Sequence, residues 1–204
     1  MTTARTLDAA GGIDLGRSRA GHVPGEVGIW LFVLSDMLLE FGTIFGCYLY
    51  YRAGEPELFA QSRALLNTSL GLLNTLILLT SSMFVALGVQ ALRANNRVAA
   101  ARMFVWGRAM GFGFVGVKVI EYGTKVSAGL TATTNHFFMY YYSATGLHLA
   151  HVLIGIVVLT YIIDGARQPQ PRPHELRSAE IGATFWHMVD LIWIVLFPLL
   201  YLVA

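Results

Sequence analysis

Long apolar stretches separated by short polar connections dominate this chain, and five of them approach the ~20 residues needed to cross hydrocarbon. They run Val27–Tyr50, Leu65–Leu92, Met103–Val126, His136–Asp164 and Ile181–Ala204. Pro24, the Gly54-Glu55-Pro56 turn, Asn95-Asn96 and the Pro169–Pro173 run punctuate the connections, since Gly, Pro and Asn break regular structure. The pattern predicts an all-α integral membrane bundle of five transmembrane helices. Residues 1–26 read as a polar tail and 27–204 as a single membrane domain. The tail lacks the apolar core of a cleavable signal peptide, so the first span is expected to target the chain.

Composition agrees. Hydrophobic residues make up 55% of the 204, charged residues 13%, and the mean hydropathy is +0.59. Soluble domains carry about 25% charged residues, so a soluble class is excluded. A formal charge of +2 is too small to suggest a nucleic-acid partner. The single Cys47 cannot form an internal disulfide.

Orientation follows from the cations. Arg5, Arg17, Arg19, Arg93, Arg97, Arg102, Arg108, Arg167, Arg172 and Arg177 fall on one side, and Arg52, Arg63 and Lys125 on the other. The richer side is expected to be cytoplasmic, which places the N-terminus inside.

Several ionisable residues interrupt the spans, where a charge costs at least about 2.5–3.5 kcal/mol unless it is paired, neutral or turned toward protein. Asp36 and Glu40 lie one turn apart in the first, Lys118 and Glu121 in the third, His148 and His151 in the fourth, His187 and Asp190 in the fifth. Helical spacing puts Trp186, Asp190 and Trp193 on one stripe with His187 beside it. Glu40 lies ~20 Å up the first helix and Lys118 ~22 Å up the third, so their depths match. Two pairings compete: Glu40 with Lys118 across helices, or Lys118 with Glu121 inside one. Gly42 with Gly46 and Gly107 with Gly111 form small-xxx-small pairs, which mark close helix packing. Tyr140-Tyr141-Tyr142 reads as an interfacial aromatic belt.

Three functions suit such residues. A protein-only metal site in a helical bundle wants Glu-x-x-His motifs on two helices, and no span carries one, so no metal is expected. A transporter or proton channel could use the acidic and histidine file, but the repeats and broken helices of secondary transporters are missing from the pattern. The third reading is a set of polar ties between helices lining a lipid- or partner-facing cleft.

The motifs themselves carry a resemblance. Trp186-His187-Met188-Val189-Asp190-Leu191-Ile192-Trp193 is similar to the Trp-His-Phe-Val-Asp-Val-Val-Trp signature of subunit III of the haem-copper oxidases. Ala144-Thr145-Gly146-Leu147-His148-Leu149-Ala150-His151-Val152 resembles that family's Ala-Thr-Gly-Phe-His-Gly-Leu-His-Val motif. Leu73-Asn74-Thr75 with Ser81-Ser82, and Glu121-Tyr122, match two more in the same order. The resemblance implies the five-helix group of a fold whose full form has seven helices, with phospholipid held in a cleft. It implies an accessory subunit, not catalytic by itself, of an oxidoreductase complex in a bacterial plasma membrane. Such a subunit has no cofactor of its own. The haem and copper belong to the catalytic subunit I beside it, with subunit II as a further partner, and some members support proton uptake. Asp36 stands where the family has a carbodiimide-reactive Glu, one methylene longer. Pro24-Gly25-Glu26 and Phe138-Met139-Tyr140-Tyr141-Tyr142 are closer to the short accessory proteins of nitric oxide reductases, members of the same family.

Overall fold

A computed structural model describes residues 27–168, 170 and 174–202, and of residues 27, 41, 43 and 44 the backbone alone. The polar tail and most of the Pro169–Pro173 run lie outside the described residues. Every regular element among those described is helical. The first apolar stretch forms α1 (Val27–Leu39), a π-helical turn (Glu40–Phe45) and α2 (Gly46–Gly54) in succession. A short helix α3 (Pro56–Ala64) follows. Next come α4 (Thr68–Arg93), α5 (Arg97–Ser127), α6 (His136–Arg167) and α7 (Glu175–Phe197), which runs into a second π turn (Pro198–Leu202). Four helical stretches are long and apolar enough to cross a membrane: α4, α5, α6, and α7 with its π turn. In the first stretch the apolar helix proper is short, Gly28–Leu39, because the π turn interrupts it.

Local chemistry sets the ends. Asn67, Asn96 and Asn135 cap α4, α5 and α6, each side chain accepting from the backbone N–H three residues on: Leu70, Ala99 and Phe138. An asparagine there satisfies one of the N–H groups a helix start leaves unpaired. Asn95, at φ 57°, closes α4 in the left-handed conformation; its N–H reaches the Leu92 carbonyl and that of Asn96 reaches Ala91. Gly129, at φ 78°, ends α5 with the same paired bonds, to Val126 and Lys125. These caps extend α5 six residues before the apolar stretch that predicts it, through Arg97 and Arg102. Pro56 starts α3, where its missing N–H costs nothing, in a region the sequence pattern reads as a connection.

Helices α4, α5, α6 and α7 close into a ring, each packed on its two neighbours. The first stretch lies on the flank: α1 packs on α7, and the π turn and α2 on α6. Small residues decide how closely the ring closes. A Cβ built on Gly111 would sit 2.8 Å from Trp186 Cη2, and one on Gly155 2.6 Å from Trp186 Cε3, so that indole fills the space of two absent side chains. Gly107 receives Val85 in the same way at 2.9 Å. Gly42 and Gly46 differ. Nothing lies within 4 Å of a Cβ at either position, so their expected role in helix packing is corrected: both face away from the bundle.

Candidate functional site

The stripe on α7 holds. Trp186, Asp190 and Trp193 are all buried in the ring. Each indole donates to a hydroxyl on α4, Trp186 to Ser81 Oγ at 3.1 Å and Trp193 to Thr75 Oγ1 at 3.0 Å. Ser81 passes its own proton to the Gly107 carbonyl of α5 at 2.8 Å, so three helices share one polar relay. One residue along each helix, Ser82 Oγ and His187 Nδ1 are 2.6 Å apart. Asp190 is 4.0 Å from His187 Nδ1, and neither of its carboxyl oxygens has a hydrogen-bond partner among the described residues. Asn74, also buried, is in the same condition.

Toward the far end of α5 lies the strongest electrostatic cluster. Lys118 and Glu121 have no solvent exposure and Lys125 has 5%. Lys118 Nζ donates to Glu121 Oε2 at 2.9 Å and to the Tyr201 hydroxyl at 3.0 Å, and Lys125 Nζ donates to Glu121 Oε1 at 3.0 Å. The Tyr201 hydroxyl in turn donates to Glu121 Oε1 at 2.6 Å. Aromatic faces complete the shell. Lys118 Nζ is 4.7 Å from the Trp193 ring and Lys125 Nζ 5.2 Å from Tyr141. Two ammonium groups thus share one carboxylate, and the ring quadrupoles take up part of the excess positive charge.

This geometry decides between the two pairings. Glu40 does not meet Lys118; α1 and its π turn pack on α7 and α6, and Lys118 is satisfied within α5 and by Tyr201 of the second π turn. Depth along two helices was matched, but their faces point to different neighbours. The expected belt is corrected too: Tyr141 is fully buried, facing Lys125 and Tyr201 from inside the bundle. Tyr122 donates to Thr145 Oγ1 at 2.6 Å, because Thr145 spends its own proton on the Tyr141 carbonyl.

The two histidines of α6 part company. His148 is fully buried between Phe114 and Trp193, with ring centroids 5.4 and 5.1 Å away, and neither of its nitrogens finds a partner among the described residues. His151 turns to the flank, its Nε2 3.4 Å from Asp36 Oδ1 and its Nδ1 3.7 Å from Glu40 Oε1. Among the described residues, no group of three or more His, Cys, Asp or Glu side chains is arranged to hold a metal ion.

Sequence reasoning missed Tyr201, Tyr141 and Arg97 as site residues. Arg97 reaches across the opposite end of the bundle to the Gly165 and Gln168 carbonyls, at 2.8 Å each, and to Glu175 Oε1 at 3.2 Å. Arg93 joins Glu180 beside it at 2.9 Å. Between α1, α4 and α7 at this end runs a groove of about 480 Å³, lined by Trp30, Val33, Met37, Val89, Met188 and Leu191, with Gln90, Arg93, Glu180, Thr184 and His187 as polar lining.

These features define an all-helical multi-pass membrane protein whose interior is tied by ion pairs and indole–hydroxyl bonds. The family model for cytochrome c oxidase subunit III matches residues 20–204, and the chain belongs to that family. It is 34% identical to cytochrome c oxidase subunit 3 of Thermostichus vulcanus over 180 residues, 87% of each chain. With the same subunit of a Synechocystis species it is 31% identical over 209 residues, covering 99% of this chain and 87% of the relative. A third relative, from Aeropyrum pernix, is named haem-copper oxidase subunit I+III; it is 27% identical over 181 residues, 86% of this chain and 22% of that longer one.

Proposed function

We propose that this chain is the accessory subunit III of a haem-copper terminal oxidase in a bacterial plasma membrane, packed against the catalytic subunit I and in complex with subunit II. The observation that carries this reading is the family match over residues 20–204, supported by a relative whose name joins subunits I and III in one chain. The role is structural and supportive. The bundle supplies a rigid wall, while the haem and copper that reduce oxygen reside in the partner.

In this reading α1, its π turn and α2 together make a fifth span, with the N-terminus cytoplasmic. A helix of the 28 residues from Val27 to Gly54 would be long enough, at ~1.5 Å per residue, to cross ~30 Å of hydrocarbon. The groove beside α1 has apolar walls that suit a phospholipid acyl chain, with the headgroup at the end where Arg93 pairs with Glu180. Asp36, at the position of the family's reactive carboxylate, is the candidate for any support of proton uptake.

Purification of the tagged protein from its native membrane tests the assembly. Haem bands in the visible spectrum, with large subunits co-purifying in fixed stoichiometry, are the expected result. A colourless, partner-free protein that moves protons in vesicles would replace this reading with a channel.

A further inference from the structure

Asp36 of α1, Glu40 at the first position of the π turn and His151 in the middle of α6 converge on the flank of the bundle. The imidazole stands between the carboxylates, each ring nitrogen facing one of them, at 3.4 Å to Asp36 and 3.7 Å to Glu40. Their side chains are 16%, 4% and 11% exposed for Asp36, Glu40 and His151. Asp36 Oδ2, Glu40 Oε1 and His151 Nδ1 are buried atoms without a hydrogen-bond partner among the described residues.

Among the described residues, no fixed cation is placed to balance the two carboxylates. His148, one turn away on α6, is turned inward between Phe114 and Trp193. From α7 the ring of Phe185 meets His151 at 6.3 Å, while His187 is turned to Ser82 and Asp190 is buried in the ring. The basic residue of α2, Arg52, lies in its last turn. Lys118 is committed to Glu121 and Tyr201. Among the described residues this leaves protons to neutralise the group, and at membrane depth neutralisation is strongly favoured.

We propose that Asp36, Glu40 and His151 form one membrane-embedded proton-binding unit, holding two protons when neutral and releasing one as a unit. One proton completes the imidazolium, which donates from Nε2 to Asp36. The second sits on the Glu40 carboxyl. When Glu40 loses it, the imidazolium lies between two carboxylates with both of its N–H groups donated, and the unit carries a single negative charge. Groups this close titrate as a set, so the protons belong to the cluster and not to any one residue. The π turn that opens at Glu40 is a backbone irregularity of the kind found at functional sites. The unit's place in the membrane rests on the fifth span proposed above, while its side-chain geometry does not depend on which catalytic partner the chain has.

Infrared difference spectroscopy on the full chain in lipid nanodiscs, stepped from acid to alkaline pH in H2O and D2O, tests it. The wild type should lose one protonated-carboxyl C=O band per chain, and Glu40→Gln should remove that band. Asp36→Asn and His151→Gln should each keep it and move its midpoint by about one pH unit or more, a tenfold change in proton affinity. Asp190→Asn controls for the other buried carboxyl and should leave the band in place. If the band survives Glu40→Gln, or if its midpoint ignores both Asp36→Asn and His151→Gln in variants with wild-type helicity, the unit does not exist. Should His151→Gln fail to fold, Asp36→Asn alone decides.

Discussion

Tyr201 donates its hydroxyl proton to Glu121 across 2.6 Å, tying the second π turn to the middle of the buried charge cluster on α5. Hydrogen bonds to charged groups contribute about 1.5–3 kcal/mol. Tyr201→Phe keeps the ring against Phe197 and Tyr141 while removing the donor. The variant should lose stability in that range in a detergent melt, with helicity unchanged before the transition. A loss under about 0.5 kcal/mol, the usual size for an uninvolved surface site, would contradict the importance assigned to this bond.

The two-lysine arrangement predicts an asymmetry. Lys118→Met leaves Glu121 paired with Lys125, whereas Glu121→Gln strands two buried ammonium groups at once. Removing one side of a buried pair costs about 3–5 kcal/mol. Glu121→Gln should therefore be the more damaging change, and adding Lys118→Met to it should recover part of the loss. In a double-mutant cycle the coupling should exceed about 0.5 kcal/mol, the level below which sites are independent. Strict additivity would sink the pairing.

Glycines of different helices should behave oppositely. Gly155→Ala drives a methyl to within 2.6 Å of the Trp186 ring, and overpacking of this kind costs about 1–3 kcal/mol. Gly42→Ala and Gly46→Ala meet nothing within 4 Å. Both should be neutral or mildly stabilising in a thermal melt, because alanine favours helix by up to about 1 kcal/mol over glycine. Equal effects at all three positions would refute the packing described.

Phospholipid in the groove is checked by native mass spectrometry of the purified complex. Retained lipid should survive mild activation in the wild type and diminish in Met37→Trp, which fills the cavity beside Val33 and Met188. Complete delipidation without loss of the complex's integrity would count against a lipid role.

Depth was legible in the sequence; facing was not. Four of the five apolar stretches became long helices, because hydropathy over ~20 residues reports burial in lipid directly. The ends of α4, α5 and α6 were fixed by single asparagines, which a hydropathy average smooths away. Lys118 and Glu121 could be paired by their spacing of three, a neighbour relation internal to one helix. Glu40 could not be placed, since its partner depends on how α1 is rotated and on which helix it leans. Tyr141 shows the same gap. Three consecutive tyrosines look alike in sequence, and only the register of α6 turns the middle one to Lys125. The Trp186 stripe succeeded because its neighbours on α7 are set by helical periodicity alone.

The second π turn also bears on how the protein is made. Besides Tyr201, it offers the Leu199 carbonyl to Tyr48 at 3.2 Å and the Leu202 carbonyl to Arg63 at 2.8 Å. These contacts join residues 139 to 151 positions apart. Each awaits a segment that leaves the ribosome long after its partner has entered the membrane. A nascent chain halted before Pro198 would hold Lys118, Lys125 and Glu121 in lipid without Tyr201, and Tyr48 and Arg63 without their acceptors. Its helices would be inserted but its charges left without part of their shelter. The last turn to be made is therefore the one that completes the shelter of charges inserted much earlier.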